Sequence, residues 1–546
     1  MISGAEIMVK CLEHEDVKIV FGYPGAAICP FYDYLYRSTV EHVLVREEQN
    51  AAHAASGYAR TSGKPGVCVA TSGPGATNLI TGIATAYMDS IPLIAITGQV
   101  NSELLGRDVF QEADITGACE PFTKHSYLVK DAADLPRVFK EAFHIATTGR
   151  PGPVLIDVPV DIQTDTVGSF EYPAKADIIG YKPRTQGHAM QIKKALAAIG
   201  EAKRPMICCG GGVVLSGARD ELIAFASASG IPVVSTMMGI GVIPMDSPLY
   251  LGMIGMHGHP NANRAAAEAD LVILCGARVG DRAVSAPEQM AKKATIIHID
   301  IDPAEIGKNM TAHIPIVGDI RLVLREFAEK AKNSVPGELV PREWIEQVLR
   351  YKEEYKPAGV PENDTGFVEP RSFIRALSQK MAENAILVSD VGQNQIWAAR
   401  NFNVKEGRFL TSGGLGTMGY ALPAALGAKL AKPHRQVLCI CGDGSFQMAM
   451  CELGTLCQND INVKIILMQN DRLGMVREVQ KRQFGANYIA TTLDGNPDFV
   501  KLAEAYGIKA ALATSNEQAE QLADEMLASD KAFILVCRVH ADTPTI

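Results

Sequence analysis

Two residues 27 positions apart, Asp443 and Asn470, hold the clearest chemistry in this sequence. Asp443 lies in Gly442-Asp443-Gly444, directly after the apolar run Val437 to Cys441, and Asn470 follows a second apolar run, Val463 to Met468. A short apolar run broken by glycine predicts a buried parallel strand that turns into a helix, here one opening at Ser445. The free N–H groups and positive end of that helix, beside a carboxylate, suit a phosphate held through a divalent metal. In a parallel sheet two such strand ends lie side by side. One carboxylate and one amide oxygen can then share a hard cation that also takes phosphate oxygens, and magnesium is the natural candidate.

Taken singly, each such feature has a plain structural explanation. A strand–turn–helix corner needs glycine for steric reasons alone. Glu47 and Glu48 head an alanine-rich helix, where the dipole favours acids in any case. Arg282 follows Asp281 and reads as half of a surface ion pair, His257 as a loop histidine, and Phe110 and Met256 as packing. Only their co-occurrence along the chain promotes them.

The elements that must position these residues follow from the alternation of apolar runs and helical stretches. At 546 residues the chain is too long for one core and predicts about three or four domains. Residues 1–167 alternate strands (19–21, 43–45, 67–71, 93–97, 154–158) with helices, which implies a parallel sheet covered on both faces. Residues 168–183 lose the periodicity and read as a linker. A second alternation over 184–332 places strands at 206–209, 232–235, 271–275 and 295–299. Residues 333–363, charged and proline-containing, read as a second linker. A third unit over 364–546 carries the Asp443 corner, with strands at 385–389, 437–441, 463–468 and 533–536. The expected fold is α/β, three doubly wound parallel-sheet domains, of which the first and third look like duplicates.

Composition narrows the function. A hydrophobic share of 47% and a charged share of 21% are those of an ordinary globular protein. A net charge of −9 without a basic block argues against nucleic acid as a partner. The 12 cysteines are scattered, several (Cys208, Cys209, Cys439, Cys441) inside apolar strands, without the paired spacing of a zinc site. The first residues read as a helix and strand and not as a signal peptide, and no run approaches the ~18 apolar residues of a membrane span. A cytoplasmic protein is expected, although an organelle form without its transit peptide would read the same.

FGYPGAA (21–27), the helix beginning at Glu48, TSGPGATN (71–78) and the Gly-Asp-Gly to Asn470 spacing together resemble the thiamine diphosphate enzymes. The resemblance sharpens to the large catalytic subunit of the acetohydroxyacid (acetolactate) synthase family through blocks in order along nearly the whole chain. These include GRDVFQEADITG (106–117), TTGRPGPVLIDVP (147–159), YLGMIGMHG (250–258), GARVGDR (276–282), IDIDPAEIGKN (299–309), TSGGLGTMGYALPAALG (411–427) and RLGMVREVQ (472–480).

That resemblance implies an enzyme of branched-chain amino acid biosynthesis that decarboxylates pyruvate and transfers the two-carbon unit to pyruvate or 2-ketobutyrate. It implies Asp443, Asn470 and the main-chain oxygen of Arg472 as metal ligands. Glu48 would hydrogen-bond the aminopyrimidine ring and so promote loss of the thiazolium C2 proton. Pro24 and Gly25 would border the pyrimidine, while Gly392, Gln393, Gly442, Gly444 and Ser445 would border the diphosphate. Gly416, Met418, Leu473, Gly474 and Met475 would lie against the rings, with Met418 propping the bent cofactor; Gly414, Gly416 and Gly419 read as close backbone approach to thiamine and not as a dinucleotide motif.

Phe110 and Gln111 would stand beside the reacting carbon, Gln111 hydrogen-bonding an intermediate. Met256 and His257 would belong to a middle-domain loop that approaches the site, and Arg282 would hold the carboxylate of the second keto acid, a task for its planar fork. In the middle domain Gly210, Gly211, Gly212, Met256, Gly276, Arg278, Asp300, Ile301 and Asp319 would bind a structural FAD. A homodimer or homotetramer is implied, with a small regulatory subunit as a further partner. Val160, Val479, Ala26, Asn394 and Val279-Gly280 depart from the family pattern and leave the second substrate open. Another thiamine-dependent decarboxylase or acyl-transferring lyase, and a catalytically inert cofactor-binding regulator, are the alternative readings.

Overall fold

The computed structural model describes residues 1–331, 340–355 and 366–546. Three six-stranded sheets follow one another along the chain, and every strand pair in them is parallel. The first contains Ile19–Gly22, Glu41–Leu44, Gly66–Ala70, Leu93–Gln99, His125–Leu128 and Pro153–Pro159. The third contains Ile386–Ser389, Arg408–Leu410, Val437–Gly442, Lys464–Gln469, Lys509–Ala513 and Phe533–Arg538. Counting strands within each domain, both sheets have the spatial order 2-1-3-4-6-5, so the expected likeness of the first and third units extends to their connectivity.

The middle sheet differs. Its strands, Pro205–Cys209, Val233–Ser235, Tyr250–Met253, Leu271–Cys275, Thr295–Asp300 and Ile314–Val317, run 3-2-1-4-5-6. That is the order of two mononucleotide-binding halves, with its switch point between the Pro205–Cys209 and Leu271–Cys275 strands.

Three features depart from the sequence reading. Five strands of these sheets were not anticipated, His125–Leu128, Tyr250–Met253, Ile314–Val317, Arg408–Leu410 and Lys509–Ala513, each at an edge of its sheet, and neither was the separate antiparallel pair of Ile2–Ser3 and Thr166–Val167. The second expected linker contains a helix, Arg342–Glu354. Trp344, Val348 and Tyr351 of this helix are buried in the middle domain's core, and the Trp344 indole N–H donates to the Pro205 carbonyl at 3.0 Å. Residues 333–339 and 356–363 of that expected linker lie outside the described residues. The helix after Gly442 opens at Asp443 and not at Ser445, because Gly442 is its N-cap and the Ser445 hydroxyl turns back to the Gly442 N–H at 3.2 Å.

The first and third domains share one apolar core. Residues from the inner faces of both sheets, among them Val43, Ala52, Leu93, Val388, Leu422 and Ile465, form a single buried cluster. At its centre the helix Glu48–Ser62 packs on the helix Ala421–Ala431. A Cβ at Gly57 would overlap the Ala424 carbonyl, and one at Gly427 would overlap the Ala54 carbonyl. These close approaches, at which only glycine fits, show the helices to be antiparallel, since 54 meets 427 and 57 meets 424.

Candidate active site

The third-domain corner forms because Val437–Gly442 and Lys464–Gln469 are neighbouring strands, with Gly442 opposite Met468. Asp443 is 2% exposed. One carboxylate oxygen accepts the Gly444 N–H at 3.0 Å; the other accepts the Asp471 N–H at 2.7 Å and the Asn496 amide at 2.9 Å. Burial outweighs these bonds and raises its pKa to about 6. The Asn470 amide donates to Gln393 Oε1 at 3.0 Å, and its own oxygen accepts the Arg472 N–H at 3.1 Å. Asp471 carries a φ of +54° between them, a turn that brings the Arg472 main chain beside both side chains.

Around this corner stand the other expected residues. Leu473 and Met418 flank Gly444, within 2.8 and 3.7 Å of where its Cβ would be. Gly392, at φ +140°, and Gly416, at φ +74°, adopt backbone that side-chain-bearing residues avoid. Gly474 opens the helix Gly474–Gln483, a helix with no buried residue, which carries Met475, Glu478 and Val479. Asn394, at the position of the expected histidine, is buried and donates to the Asp390 carbonyl at 2.7 Å.

Within the same chain the middle-domain loop lies near enough to the third domain for the charge of Glu478 to act on His257. Burial lowers the His257 pKa, with the Arg282 charge acting in the same direction and Glu478 of the third domain opposing it. His257 Nδ1 is buried without a partner. Arg282 donates to the Met256 sulfur at 3.2 Å and pairs with Asp281 at 3.7 Å on an open surface, where such a pair adds little.

The first-domain group stands apart. Glu47 is the N-cap of its helix, its carboxylate accepting the Asn50 N–H at 3.1 Å, whereas Glu48 is turned toward Asn78, which donates to it at 3.0 Å. Gly75 and Gly25 crowd Thr71, whose hydroxyl is buried without a partner. Pro24 is exposed beside them. Gln111 holds a φ of +59° against Gly73, and Phe110 next to it is 87% exposed. Among the described residues no hydrogen bond joins Glu48, Phe110 or Gln111 to Asp443, Asn470 or Arg472. Glycines, a carboxylate and an unpartnered hydroxyl fit one end of a flat heteroaromatic ring, and the Asp443 corner fits a diphosphate with its cation. Among the described residues no three His, Cys, Asp or Glu side chains gather as metal ligands, and a cation held at this corner would draw on amide and main-chain oxygens beside Asp443.

The middle-domain group gathers at the switch point. Gly210 and Gly212 pack backbone to backbone on Gly276, and Gly210 N–H donates to the Cys275 carbonyl at 3.0 Å. Arg278 lies largely buried nearby, and Ile301 follows Asp300 at the next strand end. Asp300 accepts only the Asp302 N–H among the described bonds, at 2.9 Å, and burial raises it to about 6. Asp319 instead caps the following helix through the Arg321 N–H at 2.8 Å. Gly211 faces Met238, and Met256 lies with Arg282 and not with this cluster.

Family models decide the class. Residues 2–118, 192–327 and 390–537 match, in order, the N-terminal TPP binding, central and C-terminal TPP binding domains of the thiamine pyrophosphate enzymes. The chain belongs to the thiamine pyrophosphate enzyme family. Its relatives within that family match it over most of their own length. A protein of Methanocaldococcus jannaschii described as a probable acetolactate synthase large subunit is 49% identical over 98% of this chain and 91% of its own. The acetolactate synthase large subunit of Corynebacterium glutamicum is 47% identical over 95% and 83%, and an acetolactate synthase of Arthrospira platensis 45% over 99% and 95%.

In this thiamine pyrophosphate enzyme three acids that the sequence did not single out hold the site's backbone in place. Asp390 accepts the N–H groups of Val391, Gly419 and Ala421, tying the Met418 loop to a strand end, and burial raises it to about 6. Asp89 of the first domain accepts from Gly413 and Gly414 of the third, at 3.2 and 2.7 Å. Glu452, fully buried, accepts the Arg46 N–H at 2.9 Å and the Asn50 amide at 3.0 Å, fixing the approach to Glu48. A carboxylate ending a strand, as in Ser389-Asp390-Val391-Gly392, was a visible signal; Asp89 and Glu452 become meaningful only when the domains dock.

Proposed function

We infer that this chain is the catalytic subunit of an acetolactate synthase. It decarboxylates pyruvate on thiamine diphosphate and transfers the two-carbon unit to a second 2-keto acid in branched-chain amino acid biosynthesis. The observation that carries the reading is the pairing of the Asp443 and Asn470 strand ends, in a chain 45–49% identical to acetolactate synthases along nearly its whole length.

The roles follow from chemistry and placement. Asp443, Asn470 and the Arg472 carbonyl are the groups that would hold Mg2+ and through it the diphosphate, a hard cation among oxygen donors. Gly442, Gly444 and Ser445 leave backbone room for phosphate oxygens. Bound thiamine diphosphate supplies an acidic C–H and an electron sink for decarboxylation. Glu48 holds a proton at the pyrimidine ring, and Asn78 orients its carboxylate. Phe110 and Gln111 would stand beside the reacting carbon, His257 would approach with the middle-domain loop, and Arg282 would take the second acid's carboxylate in two parallel hydrogen bonds. Val479, 44% exposed, stands on the open helix, where its small side chain would leave room for either pyruvate or 2-ketobutyrate as second substrate.

The separation of Glu48 from Asp443 supports a homodimer in which each cofactor lies between the first domain of one copy and the third of another; pairs of dimers would give the tetramer. The 3-2-1-4-5-6 order, with Gly210, Gly212 and Gly276 at its switch point and Asp300 underused beside them, supports FAD in the middle domain. Carboligation has no net redox change, so this flavin would be structural. No helix among the described residues is long and apolar enough to cross a membrane. A cytoplasmic enzyme with a small regulatory subunit completes the proposal.

The test is the purified protein with pyruvate, thiamine diphosphate and Mg2+. Acetolactate as the main product is expected, and acetaldehyde alone would replace this reading by a simple decarboxylase.

A further inference from the structure

Gln393 stands between the Asn470 amide and Glu478, on the helix after the metal corner. Its Oε1 accepts from Asn470 Nδ2 at 3.0 Å. Its Nε2 donates to Glu478 Oε1 at 2.8 Å, to the Thr543 carbonyl at 3.0 Å and to the Thr545 hydroxyl at 3.3 Å. The same Glu478 oxygen accepts the Thr545 N–H and hydroxyl, both at 2.7 Å, and the other accepts from Arg482 at 3.1 Å. Thr545 is 1% exposed while the Glu478 side chain is 22% exposed, so the knot is buried on its Thr545 side and open along the helix that bears Glu478.

We propose that Glu478, together with the Thr543–Thr545 segment, is a positioning residue for the metal: it fixes the polarity of the Gln393–Asn470 amide chain and so aims Asn470 Oδ1 at the cation. A side-chain amide has an acceptor end and a donor end of nearly equal size, and by shape alone either end fits either way round. Glu478 and the Thr543 carbonyl are acceptors only. Gln393 must therefore turn its NH2 to them, which leaves its oxygen for Asn470. Asn470 must in turn offer its NH2 to Gln393, which leaves Oδ1 on the opposite side, beside the Arg472 main chain. Reversing the chain would present N–H to the cation. Outer partners that orient a metal ligand are worth about 10–100-fold in metal affinity.

The proposal rests on the Asp443–Asn470 metal reading, and the test separates the two. Mg2+ is titrated calorimetrically into the full chain at fixed thiamine diphosphate, and the melting temperature of the cofactor-free protein is recorded for each variant. Asp443→Ala should abolish the Mg2+ heat; normal binding there would overturn the metal reading itself. Glu478→Ala should raise the Mg2+ Kd by about tenfold. Glu478→Gln should stay near wild type, because the Thr545 N–H holds the oxygen of the new amide and preserves the polarity. Equal weakening in both Glu478 variants, or wild-type affinity in Glu478→Ala while Asp443→Ala fails to bind, would overturn the positioning role. The glutamine variant keeps the packing, so its affinity reads polarity even where the alanine variant lowers the melting temperature.

Discussion

The backbone of Gly57 lies flat against that of Ala424, so closely that a Cβ at Gly57 would overlap the Ala424 carbonyl oxygen. This contact fixes the antiparallel crossing of the two central helices and with it the geometry of the site. Arg60, near the end of the first helix, donates to the Thr411 carbonyl and the Tyr420 hydroxyl, close to the strand ends from which the Asp443 corner is built. Glu48 lies 12 residues back along that helix, about 18 Å at 1.5 Å per residue. Glu48 therefore lies at the end of this helix remote from the Arg60–Thr411–Tyr420 contacts.

Filling the Gly57 contact should separate these domains. Gly57→Val forces the helices apart, a change expected to cost about 1–3 kcal/mol or more. The measurement is the urea midpoint, with Ala55→Gly, elsewhere on the same helix, as a reference; an unchanged midpoint would show that the helices do not meet as described.

Glu452 is expected to act as a buried clamp between the first and third domains. Glu452→Ala leaves the Arg46 N–H and the Asn50 amide without their carboxylate acceptor, while the Thr455 hydroxyl keeps the Leu44 carbonyl. Each buried group left unsatisfied costs roughly 1–3 kcal/mol. Thermal unfolding should shift down clearly, and activity should fall with it because Glu48 lies on the loosened segment.

Stability should carry a pH signature from Asp157, buried between Thr97 and Gln99 in the first sheet. Burial raises its pKa to about 7. The folded state then binds a proton that the unfolded state releases, so this group's contribution is full below about pH 4 and is lost as pH rises toward 7. Asp157→Asn removes the term. The difference in stability between wild type and variant, from denaturant melts at several pH values, should move against the wild type across that window and level off above it.

Replacing Glu48 by glutamine should slow exchange of the cofactor's C2 proton in D2O by about 10²–10⁴-fold while Mg2+ and cofactor still bind. Near-normal exchange would move the proton role to another group. Glu47 is the less suitable neighbour, since its carboxylate is already engaged as the helix cap.

The central strands were readable because they are buried on both faces and so appear as unbroken apolar runs; Leu271–Cys275 was placed to the residue. The missed strands are edges, where one side lacks a partner and the run is short or mixed, as in His125–Leu128 and Lys509–Ala513. Asp443, Asn470 and Glu48 could be found because glycine corners and helix starts mark them locally. Asp89, Glu452 and the Gln393–Glu478–Thr545 knot could not, because their partners lie 67 to more than 400 positions away or in another domain.

The most direct test of the composite site mixes two variants, Glu48→Gln and Asp443→Ala, each inactive alone. If the site lies between two copies, a mixed dimer contains one intact pair, Glu48 from one chain and Asp443 from the other. Unfolding and refolding the variants together should then restore acetolactate synthesis to about a quarter of wild type, half of the dimers being mixed and each having one working site of two. Mixed dimers, identified by a tag on each variant, that make no acetolactate would contradict the account.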